Sequence, residues 1–152
     1  MIKPGALAAA AGVGLAAGLA GTAAMTVSST IEAKLRHRQP STAPADAAAK
    51  LLGVKPEGDQ QAKRFSAVVH WAYGTSWGAA RGLLGCTGLP APAATVVHLA
   101  MLWGSEQVTL PALGVAPPLT KQDGTEVAIG AWHSGVYAAA AGAAYEALNR
   151  TR

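Results

Sequence analysis

The sequence predicts an all-α fold: a four-helix transmembrane bundle, one membrane domain over residues 1–152, with a polar loop at 34–64 between the first and second helices. Two observations carry this. Charged residues are only 13% of the chain, about half the share of a soluble domain, whereas apolar residues reach 51%. The charges are also confined to a few segments. No Asp, Glu, Lys or Arg occurs between Lys3 and Glu32, a run of 28 residues, and Gly82 to Ser105 and Val127 to Tyr145 are equally clean.

A bilayer core needs ~20 apolar residues per helix. The quiet stretches therefore place spans near 5–28, 65–86, 93–113 and 127–147. Leu89-Pro90-Ala91-Pro92 separates the second span from the third, and Pro111 with Pro117-Pro118 separates the third from the fourth. A soluble Ala-rich bundle would need a polar face about every 3.6 residues. Gly5 to Ser28 offers only Thr22, Thr26 and Ser28. A cleaved signal peptide fits poorly, since its basic region would be Lys3 alone and its apolar run exceeds the usual ~7–15 residues. Disorder is excluded by the low charge, and a disulfide scaffold by the single Cys86.

Lipid tails do not drive helices together, so membrane helices associate through close packing at small residues. Ala and Gly make up 54 of the 152 residues. Gly14 and Gly18 are spaced by four in the first span, as are Gly74, Gly78 and Gly82 in the second. These glycines are expected to form a helix contact, either inside the bundle or in a homo-oligomer. The polar loop holds seven bases (Lys34, Arg36, Arg38, Lys50, Lys55, Lys63 and Arg64) against Asp46, Glu57 and Asp59. Pro40 to Pro44 reads as a turn, and Asp46 to Leu52 as a short amphipathic helix ended by Gly53. Without aromatic interleaving or a recognisable module, the loop is read as facing solvent or lipid headgroups rather than nucleic acid. Loops 1 and 3 together carry eight bases, and the other side carries Lys3, Arg150 and Arg152, or four with Arg81. The positive-inside rule then puts loop 1 in the cytoplasm.

Ionisable residues inside a span are expensive and usually functional. His70, Glu106 and His133 each lie five to seven residues from one membrane face, at depths of roughly 7–11 Å. Glu32 ends the first span on the same side, and Tyr73 and Tyr137 are one turn deeper. A second layer of Arg81, His98 and Glu146 lies towards the other face, where Arg81 is expected to pair with Glu146. Two histidines and a carboxylate suit a transition metal. The same set suits a proton relay, or plain hydrogen bonding between helices. No HExxH or CxxC spacing, GxSxG, P-loop or dinucleotide fingerprint occurs, and Cys86 reads as a packing residue.

The run Pro111-Ala112-Leu113-Gly114-Val115-Ala116-Pro117-Pro118, followed by Gly130-Ala131-Trp132-His133, resembles the YagU-like family of small bacterial inner-membrane proteins. His70-Trp71 and Gly18 to Ser41 fit the same pattern, and the resemblance covers about two-thirds of the chain. It implies a multi-pass inner-membrane location, a link to acid resistance, and termini inside, the opposite of the orientation that the positive-inside rule gives. Glu32, His70 and His133 match ionisable positions of the family, whereas Glu106 stands where a His is expected. The expected function is a non-enzymatic membrane protein with a titratable intramembrane cluster. A metal- or haem-binding membrane protein, or a structural subunit of a larger membrane complex, are the alternatives.

Overall fold

The computed structural model describes residues 3–39 and 41–150. Pro40 of the expected turn and Arg152 of the charge count lie outside the described residues. Within them the chain is all-helical, with five α-helices and no strand: α1 (Pro4–Leu35), α2 (Ala43–Leu52), α3 (Gly58–Leu84), α4 (Ala91–Ala112) and α5 (Gly124–Arg150). A single 3-10 turn, Leu119–Lys121, precedes α5.

The helix ends follow local chemistry. Pro4 sits in the first turn of α1, where a missing N–H is harmless. The helix closes in a left-handed turn at His37 (φ 51°), with the Arg38 amide donating to the Ala33 carbonyl. Gly53 (φ 66°) ends α2 in the same conformation. The α3 helix starts seven residues before the expected span, because Gln60, Gln61, Ala62, Lys63 and Arg64 are good helix formers. Asp123 starts α5 by accepting the Thr125 amide at 2.9 Å.

Helix α1 is the organising element. It packs along both α3 and α5, while α4 joins the bundle chiefly through α5. The α1–α3 crossing is a glycine seam. A Cβ built on Gly78 would lie 2.5 Å from the Gly18 Cα, and one on Gly18 would lie 2.7 Å from the Thr75 carbonyl oxygen. Gly14 meets the Gly82 backbone, Gly82 meets Ala10, and Gly74 meets the Thr22 side chain. All five glycines picked out by spacing therefore lie in one contact within the chain. Gly21 similarly makes room for the ring of Tyr137, and Gly142 for Thr95.

Polar side chains share the interior with apolar ones, and many large apolar side chains lie on the surface. The buried cluster is small, with Leu102, Tyr137 and Ala141 at its centre and Met25 and Trp77 against it. Arg81 and His98 are fully buried, yet Val27, Val68, Val96, Val108 and Trp132 are each at least 60% exposed. Among the described residues, α1 alone is long and apolar enough to cross a membrane by length and composition. The other three expected spans fall short of that measure. Charged and amide residues occupy the first turns of α3, α4 carries His98, Ser105, Glu106 and Gln107, and α5 carries Trp132, His133, Ser134 and Tyr137 among its glycines.

Candidate functional site

The candidate site lies where the end of α1 meets the start of α5. Helix α1 is about 48 Å long at 1.5 Å per residue, and its last turn, Glu32 to Leu35, follows the uncharged run. The left-handed turn at His37 folds the chain back and returns Arg38 to Glu32. Arg38 then grips the carboxylate with both prongs, Nε to Oε1 at 2.8 Å and Nη2 to Oε2 at 2.7 Å. Arg36 bridges Glu32 Oε1 at 3.2 Å and Glu126 Oε1 of α5 at 2.8 Å. The Arg38 hydrogen bonds, with help from Arg36, hold the Glu32 carboxyl down at about 2. Glu32 is thus a fixed negative charge.

His133 of α5 faces this charge. It is 6% exposed. Its Nδ1 lies 3.0 Å from Ser28 Oγ, and its Nε2 lies 3.7 Å from Glu32 Oε2. That Nε2 is buried with no hydrogen-bond partner among the described residues. A shallow cleft lined by Ser28, Ile31, Glu32, Leu35, Arg36 and Trp132 opens beside it.

His70 of α3 does not join this pair. Its Nε2 lies 2.8 Å from Thr26 Oγ1, and that hydroxyl also reaches the Thr22 carbonyl at 2.7 Å. Both contacts hold together when Thr26 donates to the carbonyl and His70 donates through Nε2. Glu106 of α4 is half-buried. Among the described residues no three His, Cys, Asp or Glu side chains come together to hold a metal ion. Of the expected set His70, Glu106, His133 and Glu32, the structure brings His133 and Glu32 together and leaves His70 apart from them. Equal depth does not fix which way a side chain faces. With α1 packed against both α3 and α5, His70 turns to Thr26 and His133 to Ser28, in the same turn of α1.

The second layer is built from Arg81, His98 and Glu146. Arg81 Nη2 donates to Glu146 Oε1 at 2.7 Å, as expected. Its guanidinium lies 4.5 Å from the centre of the Tyr145 ring. Arg81 Nε and Nη1 are buried with no hydrogen-bond partner among the described residues. The hydrogen bond of His98 goes elsewhere than the ion pair. Its Nε2 donates to the Trp77 carbonyl at 2.9 Å, and its ring stacks at a tilt with Trp77 and Tyr137. Tyr137 in turn donates to the Gly74 carbonyl, across the seam that the glycines open.

Sequence reasoning missed Thr26, Ser28 and Glu126, and counted Arg36 and Arg38 only as loop charges. The i, i+4 spacing of Glu32 and Arg36 was a usable signal. Nothing local marks Arg38, which depends on the His37 turn. No family model, curated protein or solved structure matches this chain.

Proposed function

We propose that the chain is a multi-pass protein of the bacterial inner membrane, with α1, α3, α4 and α5 crossing the bilayer, and that His133 carries protons at its face in a response to acid stress. Three features support the membrane placement. The helices are free of charge over long runs, they associate through small residues, and their large aliphatic side chains point outwards. The YagU-like resemblance points the same way.

The observation that carries the proton reading is the His133–Glu32 pair. A carboxylate locked in the ionised state by two arginines cannot itself take up a proton in mild acid. The imidazole beside it offers a ring nitrogen, Nε2, that can bind and release a proton. Proton uptake at Nε2 would give that nitrogen a charge-assisted partner in Glu32 Oε2. Ser28 holds the opposite edge of the ring and keeps it aimed. Loss of the proton returns Nε2 to its unpartnered state, so the group can both accept and release. Glu32 and Ser28 are positioning residues, and His133 is the carrier.

The test uses the full chain in proteoliposomes holding a pH-sensitive dye. An acid step outside should acidify the lumen faster with the wild type than with His133→Gln or Glu32→Gln. Equal rates for all three proteins would refute proton handling. Extraction by alkaline carbonate tests the membrane placement separately, since a multi-pass chain stays with the bilayer.

A further inference from the structure

Helix α2 is unlike the other helices. Its first two turns tuck against the bundle, with Ala45 and Ala47 buried, and it rests on α3 and α4. Its last turn runs out past them. Leu51 and Leu52 are 71% and 68% exposed, and Val54 after the Gly53 turn is exposed as well. Lys50 and Lys55 bracket this apolar tip. Lys50 Nζ also donates to the Leu113 carbonyl at 2.6 Å, which ties the end of α2 to the end of α4. The tip is therefore fixed at the level where α4 stops, and it is not a loose loop.

The segments at this end carry a small basic excess. Arg36 and Arg38 are paired with Glu32 and Glu126, which leaves Lys34, Lys50, Lys55, Lys63, Arg64 and Lys121 against Asp46, Glu57, Asp59 and Asp123. An apolar tip between lysines, held at the rim of an apolar bundle, has the chemistry of an interfacial anchor. Its leucines enter the boundary between headgroups and acyl chains, while the lysine stems extend along it and their ammonium groups meet phosphates. We infer that the end of α2, Leu51, Leu52 and Val54 with Lys50 and Lys55, docks into an anionic lipid surface and sets how deep the bundle sits. This rests on the membrane placement proposed above and adds an interaction surface to it.

The test places one environment-sensitive fluorophore at a time on the full chain, in a Cys86→Ala background, through Leu52→Cys, Glu57→Cys or Val27→Cys. Each protein is reconstituted in nanodiscs of phosphatidylcholine with or without phosphatidylglycerol, and quenched with acrylamide. With phosphatidylglycerol the label at 52 should be blue-shifted and quenched at least threefold less than the label at 57. Lys50→Gln with Lys55→Gln should remove the dependence on phosphatidylglycerol. A label at 52 quenched as readily as one at 57, with the label at 27 shielded, overturns the α2 anchor and leaves the membrane placement intact. Ready quenching at 27 as well overturns both. Shielding at 52 that ignores phosphatidylglycerol overturns the anionic preference.

Discussion

His133 Nε2 lies 3.7 Å from Glu32 Oε2, while the other ring nitrogen lies 3.0 Å from Ser28 Oγ. One edge of a buried imidazole is thus anchored, and the other faces a fixed negative charge without reaching it. Ser28→Ala should leave both ring nitrogens without a partner inside the protein. That loss is expected to lower stability by about 1–3 kcal/mol, the usual cost of an unsatisfied buried polar group. Thermal unfolding in detergent measures it. Glu106→Gln makes the complementary case. Glu106 shares only its depth with His133, so its neutralisation should leave proton uptake in proteoliposomes at the wild-type rate, whereas Glu32→Gln should not.

The clasp between Glu32 and its two arginines has its own pH dependence. Its carboxyl is held down from the ordinary 4.5 to about 2. A depressed carboxyl contributes stability above its unfolded value and loses it as pH falls through the folded one. The contribution is therefore complete above about 4.5 and fades towards about 2. Unfolding temperatures of the wild type and Glu32→Gln should differ at neutral pH and converge near pH 2. A constant difference across that range would count against the clasp.

The helices were legible because the charge gaps and prolines mark them directly, and the glycine seam because four-residue spacing repeats on two helices. The Arg81–Glu146 pair was legible because Arg81 is the lone charge near the end of α3 and Glu146 the lone acid near the end of α5. What stayed hidden depends on rotation about helix axes. His70, Glu106 and His133 share a level, but α1 packs against both α3 and α5 and draws the histidines to Thr26 and Ser28 instead of to one another. Arg38 was hidden for a different reason. Its reach back to Glu32 needs a histidine in a left-handed conformation, which few non-glycine residues adopt and no pattern of polarity announces.

The Arg81–Glu146 pair is asymmetric, with side-chain exposures of 1% and 36%. Removing Glu146 strands a guanidinium whose Nε and Nη1 have no hydrogen-bond partner among the described residues. Removing Arg81 leaves a carboxylate that water can reach. Glu146→Gln should therefore destabilise more than Arg81→Met, by about 1–3 kcal/mol in unfolding experiments, because the cost falls on the group that stays buried. Tyr145→Leu removes the ring under the guanidinium and should cost a smaller amount, about 0.5–2 kcal/mol.

The α1–α3 seam separates glycines that packing requires from glycines that it does not. At Gly78 an added Cβ would meet the Gly18 backbone at 2.5 Å, and backbone cannot step aside as a flexible side chain does. Gly78→Ala alone should push the helices apart and lower stability by about 1–3 kcal/mol, as overpacking does, and Gly78→Leu should cost more. Gly104, in the middle of α4, has open space around it, with nothing within 4 Å of where an added Cβ would sit. Gly104→Ala should be neutral or stabilising by up to about 1 kcal/mol, because alanine loses less backbone freedom in a helix. The two variants add the same methyl group, so thermal unfolding of the pair isolates the contact from the propensity. Equal behaviour at both sites would mean that α1 and α3 do not approach as closely as the seam requires.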